Sequence, residues 1–131
     1  MLMKLLIAAL LAVFSTGAMA EWTYLTSSRD VDIYIDKTAI HKRGNVAKVW
    51  SLHDYKAPQG EKKVKPYLSV RGLSEYDCVE IRIRLSSITF FSDNMGSGQV
   101  TFSHQNNEGG TWNDIAPGTV DMSTWQVACK K

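Results

Sequence analysis

The stretch Val79-Glu-Ile-Arg-Ile-Arg-Leu-Ser-Ser-Ile-Thr-Phe-Phe-Ser92 decides the fold, because its apolar residues recur at every second position. A period of two predicts a β-strand with one apolar and one polar face. After Ser86-Ser87 the apolar residues change parity, which predicts a β-bulge near the two serines. One face would hold Val79, Ile81, Ile83 and Leu85, and the other face Glu80, Arg82 and Arg84.

The same period continues on both sides of this stretch and predicts an antiparallel sheet. Val31, Ile33 and Ile35 alternate with polar or aromatic residues, and turn residues such as Arg43-Gly44-Asn45 separate the apolar segments. Short strands with turns between them are typical of antiparallel sheets. The expected strands are Trp22–Thr26, Val31–Asp36, Val46–Tyr55, Tyr67–Cys78, Val79–Ser92 and Gln99–His104, with a long polar loop over Lys56–Pro66.

The C-terminal segment changes to a helical period. Met122, Trp125 and Cys129 recur at helical spacing, and Thr119 or Asp121 is placed to cap the start. A helix this short is not stable alone, so packing of Trp125 and a bond from Cys129 must hold it against the sheet. The expected fold class is α+β, mainly β: a single antiparallel sheet of about six strands with a short C-terminal helix tethered by a disulfide.

Cys78 and Cys129 are the only two cysteines in the chain. In an exported protein such a pair predicts a disulfide with one connectivity. Closing a loop of about 52 residues would stabilise the fold by about 4 kcal/mol. A redox-active pair is the alternative, and it has less support because the cysteines lack the C-x-x-C arrangement.

The parity of Cys78 makes a further prediction about the helix. Cys78 is separated from Arg82 and Arg84 by even numbers of positions. In a strand without a bulge its side chain therefore points to the same face as the arginines. A helix tied to Cys78 would then cover part of that face. We therefore expect Asp121 or the end of the helix to lie near Arg82 or Arg84.

The first twenty residues have the features of a bacterial secretory signal. Lys4 supplies a positive charge, Leu5 to Phe14 form an apolar run of ten, and Ala18-Met19-Ala20 ends in small residues. This run is too short to span a bilayer of about 30 Å. We expect a signal peptide over 1–20, cleavage between Ala20 and Glu21, and one domain over 21–131 that is periplasmic, secreted or at the cell surface.

Position 21 is not a cysteine, and no later run is long enough for a membrane helix, so the mature form is expected to carry neither a lipid anchor nor a transmembrane segment.

An ordered set of landmarks runs through the chain: Tyr34-Ile-Asp36, Val49-Trp50 with Asp54-Tyr55, Asp77-Cys78, Trp112-x-x-Ile115-x-Pro117-Gly118, and Ala128-Cys129. In order and spacing this set resembles the surface-adhesin protein E family, over residues 21–131. The resemblance implies a six-stranded antiparallel sheet with a C-terminal helix tethered by a Cys78–Cys129 disulfide. Proteins for which the family is named act at bacterial surfaces and bind host extracellular-matrix and serum proteins.

Two groups of basic residues are candidate binding sites. The Lys56–Pro66 loop could bind an acidic glycan such as heparin, or an acidic patch on a protein, through Lys56, Lys62, Lys63 and Lys65. Arg82 and Arg84 lie about 7 Å apart on one strand face and could bind a carboxylate or a sulfate. The alternatives are a solvated polar loop, and arginines that pair with Glu80 and the C-terminal segment.

No pattern in the sequence predicts catalysis, a metal site or a cofactor. His41, His53 and His104 are isolated, and no G-x-S-x-G turn presents a nucleophile. The net charge of +2 for the whole chain gives no reason to expect a nucleic-acid partner. The aromatic residues are expected mostly in the core, with an exposed recognition surface as the alternative: Trp22, Trp50, Trp112, Trp125, Tyr34, Tyr55 and Tyr67.

Together these features predict an exported, non-enzymatic binding protein of the bacterial envelope, similar to a surface adhesin that binds host matrix or serum proteins. The alternative is a soluble periplasmic housekeeping or assembly factor that binds another bacterial protein by strand addition at a sheet edge. Unpaired sheet edges are also compatible with a homodimer.

Overall fold

The computed structural model describes residues 20–130, so the expected signal peptide lies, apart from Ala20, outside the described residues. The described chain forms eight strands and one α-helix. These are β1 (Trp22–Ser28), β2 (Val31–Asp36), β3 (His41–Arg43), β4 (Val46–Gln59), β5 (Tyr67–Asp77), β6 (Arg82–Phe91), β7 (Val100–Gln105), β8 (Asn113–Asp114) and α1 (Val120–Cys129).

All strands belong to one antiparallel sheet. Its main path runs β1-β2-β4-β5-β6-β7, with β3 paired to β4 and β8 paired to β6. The expected fold class is confirmed, and the six expected strands correspond to the six strands of this path. The outer strands of the path are β1 and β7.

Helix α1 packs on one face of the sheet, which we call the helix face. The core residues on this face come from β2, β4, β5, the helix and the segment before it: Ile35, Ala47, Val49, Tyr76, Ile115 and Ala128. Neighbouring strand residues point to opposite faces, so Glu75 and its partner Arg84 lie on the other side of the sheet from Tyr76 and Ile83. We call that side the arginine face.

The expected bulge near the two serines is present. Leu73 pairs with Ser87, whereas the next residue, Ser74, pairs with Leu85. Ser86 is therefore the extra residue of β6, and the apolar residues on either side of it reach the same face. The change of parity in the sequence is explained by this one residue.

Strand β6 begins at Arg82 and not at Val79, where the sequence predicts its start. Cys78 to Ile81 form a turn, and Ile81 has a φ of 53°. The Asp77 carboxylate accepts hydrogen bonds from the backbone N of Val79 and of Glu80 and thereby closes this turn. The turn breaks the parity between Cys78 and the arginines, so the expectation that the helix shares a face with Arg82 and Arg84 is wrong. Asp121 and Arg84 nevertheless line the same cavity at the first turn of the helix, although none of the ion pairs of the described residues joins Asp121 to either arginine.

The predicted loop over Lys56–Pro66 is shorter than expected, because β4 continues to Gln59. The pairing between β4 and β5 is interrupted between Asp54 and Gln59 and then resumes at Gln59 and Tyr67. Only residues 60–66 connect the two strands. Lys56 to Gln59 belong to β4, but their side chains are mostly exposed, so their polar composition did not indicate a strand.

The C-terminal helix is capped by Thr119, whose hydroxyl accepts a hydrogen bond from Met122 N at 3.2 Å. A disulfide joins Cys129 to Cys78, with a Cα–Cα distance of 5.4 Å, and confirms the expected tether. The indole of Trp125 donates to the same corner of the sheet. Within residues 20–130, no helix is both long and apolar enough to cross a membrane.

Candidate functional site

One end of the sheet gathers exposed basic residues. Strand β4 ends there and β5 begins there, and Lys56 N donates a hydrogen bond of 3.0 Å to Asp30 O, which brings the turn between β1 and β2 alongside. We call this region, residues 29–30 and 56–66, the lysine end. Its exposed cationic residues are Arg29, Lys56, Lys62, Lys63 and Lys65. None of the three ion pairs of the described residues involves them.

A row of four aromatic rings crosses the helix face beside the lysine end. Ring centroids are separated by 6.0 Å between Tyr55 and Tyr67, by 4.3 Å between Tyr67 and Phe90, and by 5.2 Å between Phe90 and Phe102. One ring comes from each of the strands β4, β5, β6 and β7. We call these four residues the aromatic row.

The aromatic row is only partly covered. Tyr55, Tyr67 and Phe90 are half-buried, and Phe102 on the outer strand β7 is 47% exposed. Tyr55 and Tyr67 are therefore exceptions to the expectation that most of the aromatic residues lie in the core, because helix α1 covers the other half of this face. The tryptophans also differ from the expectation, since all four are half-buried and none is fully buried.

A cavity of about 360 Å³ lies between the aromatic row and the first turn of α1. His53 and Tyr76 line it from the sheet, and Asp121 lines it from the helix. Burial lowers the pKa of His53, although the negative charge of Asp121 opposes this effect. Burial also raises the pKa of Tyr76, and the Asp121 charge adds to that increase. The imidazole and the phenol are thus both favoured in their neutral forms.

The two candidate arginines lie on the arginine face and already have acidic partners. The Arg82 guanidinium is 2.9 Å from the Asp77 carboxylate, and Arg84 forms an ion pair with Glu75. Both guanidinium groups also lie over the ring of Trp112, at 5.3 Å and 4.4 Å from its centroid. The arginines are therefore paired, but with β5 residues rather than with Glu80 or the C-terminal segment.

The structure does not bring the two basic groups together. The lysine end lies where β5 begins, whereas Arg82 pairs with Asp77, the last residue of β5. A strand of this length separates them by roughly 30 Å, at about 3.3 Å per residue. A ligand that contacts the lysines therefore does not reach the arginines unless it is a macromolecule.

One basic residue that the sequence did not single out is Arg71 of β5. Its guanidinium carbon lies 5.4 Å from the ring centroid of Trp50 and 5.3 Å from that of Phe91, on the arginine face. Trp50 and Phe91 are far from Arg71 in sequence, and only the strand register places them beside it. No local sequence signal could have revealed this cluster.

The histidines do not form a metal site. His53 lines the cavity on the helix face, His41 lies on β3, and His104 on β7 bonds to Asn106 at 2.9 Å. Across residues 20–130, no group of three or more histidine, cysteine, aspartate or glutamate residues is arranged to hold a metal ion.

The sequence matches the family described as Surface-adhesin protein E over residues 22–130. The chain belongs to this family. The match covers nearly all of the described residues and confirms the resemblance seen in the landmark residues. A search of the curated proteins finds no match.

Solved structures of Haemophilus influenzae protein E have the same fold. One is 14% identical with a TM-score of 0.60, and the match covers 87% of each chain. A second crystal form is 16% identical with a TM-score of 0.61, covering 87% of this chain and 91% of the other. Protein E from non-typeable Haemophilus influenzae is 15% identical with a TM-score of 0.58, covering 87% of this chain and 78% of the other. At this level of identity the likeness shows the shared fold and assigns no binding residue.

Proposed function

We propose that this protein is exported through a signal peptide over residues 1–20 and that its domain, 21–131, acts as a non-enzymatic surface adhesin. Membership of the surface-adhesin family supports a role at the cell surface. The observation that carries the binding proposal is the position of the aromatic row directly beside the lysine end.

The partner that fits this surface is a protein with an acidic, partly apolar patch, such as a host matrix or serum protein. Aromatic side chains are the residues that most often supply binding energy in protein interfaces. Exposed lysines around them would attract an acidic partner and raise the association rate without a large gain in affinity. An acidic glycan would use the lysines alone, so the aromatic row favours the protein.

Binding to immobilised matrix and serum proteins tests this surface. We expect the triple change Lys62→Glu, Lys63→Glu and Lys65→Glu to slow association and weaken binding at physiological salt. Phe102→Ser should weaken binding at least tenfold, since an aromatic hot spot contributes about 2 kcal/mol or more. Matched control changes at the opposite end of the sheet, Lys42→Glu with Arg43→Glu, should leave binding unchanged. If only the lysine changes reduce binding, and heparin competes fully, the partner is a glycan instead.

A second function, as a periplasmic assembly factor, is favoured by the outer strand β7. Its residues are mostly exposed, and Val100 and Phe102 are large exposed apolar side chains on it. An unpaired strand edge can add a strand from another protein, or from a second copy of this chain to form a homodimer.

Intact cells distinguish the two functions. An adhesin is accessible to external antibody and protease, whereas a periplasmic factor is protected until the outer membrane is permeabilised. Light scattering of the purified protein then separates a homodimer from a monomer.

A further inference from the structure

The backbone nitrogen of Glu21 lies at a carboxylate. It donates a hydrogen bond of 3.3 Å to Oδ2 of Asp36, the last residue of β2. Trp22, the next residue, is the register partner of Asp36, so this contact closes the end of the β1–β2 pair. Asp36 is only 5% exposed. Its other oxygen, Oδ1, accepts from Thr38 N at 3.0 Å and from Thr38 Oγ1 at 2.6 Å.

Glu21 is also the residue that the sequence places directly after the cleavage site. Hydrolysis of the Ala20–Glu21 peptide bond consumes one water molecule, leaves a carboxylate on Ala20 and converts the amide nitrogen of Glu21 into an α-amino group. This group takes up a proton at neutral pH, since its ordinary pKa is about 7.7–8.0. A neutral donor with one hydrogen is thereby replaced by a cation with three, in the same place.

We propose that cleavage creates an ion pair between the new α-ammonium group of Glu21 and the Asp36 carboxylate, and that this pair fastens the outer strand β1 to the sheet. The inference rests on the proposed export of the chain. It assigns Asp36 as the receptor of the processed terminus, so that the folded protein is more stable after cleavage than before it.

The surroundings of Asp36 favour this pair. Its carboxylate is removed from water and is held in one orientation by Thr38, so little conformational entropy is lost when a cation approaches. The other charged groups beside this contact are Glu21 itself and Lys37, the chain neighbour of Asp36, and Arg71 across the sheet. Arg71 lines the same cavity of about 430 Å³ as Trp22 and Asp36. The Arg71 guanidinium lies over Trp50 and Phe91.

The test compares two oxidised chains with defined N-termini, residues 21–131 and residues 18–131. The longer chain keeps the Glu21 amide but moves the ammonium group three residues away. Each chain is made with Asp36 and with Asp36→Asn, which keeps an oxygen for the Thr38 hydrogen bonds and removes the charge. Urea unfolding is measured at pH 6 and at pH 10.

At pH 6 we expect the extension to raise the unfolding equilibrium constant about tenfold when Asp36 is present, as for one partly buried charge-assisted hydrogen bond, and to leave it unchanged with Asp36→Asn. The difference should disappear at pH 10, where the amine is neutral. An equal effect of the extension with and without the Asp36 charge would overturn the ion pair.

Two further measurements separate the ways in which the proposal can fail. If Asp36→Asn does not fold, NMR titration of the 21–131 chain measures the pKa of the Glu21 α-amino group. A pKa about one unit above the ordinary value supports the ion pair, and an ordinary pKa overturns it. The N-terminal sequence of protein exported by cells tests the processing step separately. A terminus other than Glu21 overturns the link to cleavage even where the ion pair forms in the defined chain.

Discussion

The indole Nε1 of Trp125 donates a hydrogen bond of 2.9 Å to the backbone carbonyl oxygen of Asp77. The carboxylate of the same aspartate accepts from Val79 N, Glu80 N and Arg82. Asp77, at the end of β5, thus closes the turn into β6, pairs with Arg82 and accepts the hydrogen bond that holds helix α1 to the sheet. The disulfide begins at the next residue, Cys78.

Asp77→Ala is expected to destabilise the protein by about 3 kcal/mol, because it removes a buried carboxylate and leaves two backbone donors and one guanidinium without their partner. Asp77→Asn should cost less, since its amide oxygen can still accept from the turn. Chemical denaturation of the three proteins measures this order. Equal stability of the Asp77→Ala and the unchanged protein would mean that the turn is held by the disulfide alone.

The titration of the Asp77 carboxylate should also affect how the stability of the protein depends on pH. Hydrogen bonding from Glu80 N, followed by the contact with Arg82, lowers the pKa of Asp77 in the folded state. The unfolded chain then takes up a proton first as the pH falls below about 4, where an ordinary aspartate titrates. The contribution of Asp77 is therefore complete at neutral pH and is lost as the pH drops through the lowered folded-state value.

We expect the free energy of unfolding to fall more steeply between about pH 4 and pH 2 in the unchanged protein than in Asp77→Asn. Asp36 contributes in the same direction: burial opposes the shift, but the hydrogen bonds from Thr38 hold its pKa below the ordinary value. Urea unfolding across this range gives the two slopes. Parallel slopes would contradict the assignment to Asp77.

Removing the disulfide should destabilise the protein by about 4 kcal/mol, because the bond spans 51 positions and restricts the unfolded chain. The paired change Cys78→Ser with Cys129→Ser is compared with the oxidised protein in urea, and addition of a reductant serves as the matched treatment. The reductant should have no effect on the serine variant. A loss below about 1 kcal/mol would show that packing of Trp125 suffices to hold the helix.

Ile81→Gly is expected to stabilise the protein by up to about 1 kcal/mol. A β-branched residue at a positive φ is strained by about 1–2 kcal/mol, and the side chain of Ile81 is 39% exposed, so little packing is lost. The greater flexibility of glycine in the unfolded chain offsets part of the gain. Ile81→Ala serves as the control, since it trims the side chain without relieving the backbone. Thermal unfolding should place Ile81→Gly above both other proteins.

The positions of the main strands along the chain and the bulge could be predicted because they depend on local patterns. The parity change at Ser86-Ser87 is visible in the chain itself, and the structure places the extra residue there. The start of β6 could not be predicted in this way. Val79 and Ile81 continue the alternation, but the hydrogen bonds from the turn to Asp77 outweigh their preference for a strand.

The candidate site was predicted only in part, for a similar reason. The lysines of residues 56–66 are neighbours in sequence, so composition alone singles them out. The aromatic row depends on the register of four strands, because Tyr67 and Phe102 come together only through Phe90 between them. Periodicity indicates that such residues share a face, but it does not say how far a helix covers it.

The position of the disulfide has a mechanical consequence for a protein held at both ends. Tension applied between the N-terminus and the C-terminus passes from residue 78 across the sulfur atoms to residue 129. The intervening loop, with β6 and β7, lies outside this covalent path. Only the segment from residue 21 to residue 78 can be drawn out, to about 200 Å at full extension. Under such tension the first strands would be extended, while Phe90 and Phe102 lie in the part of the chain that the covalent path bypasses.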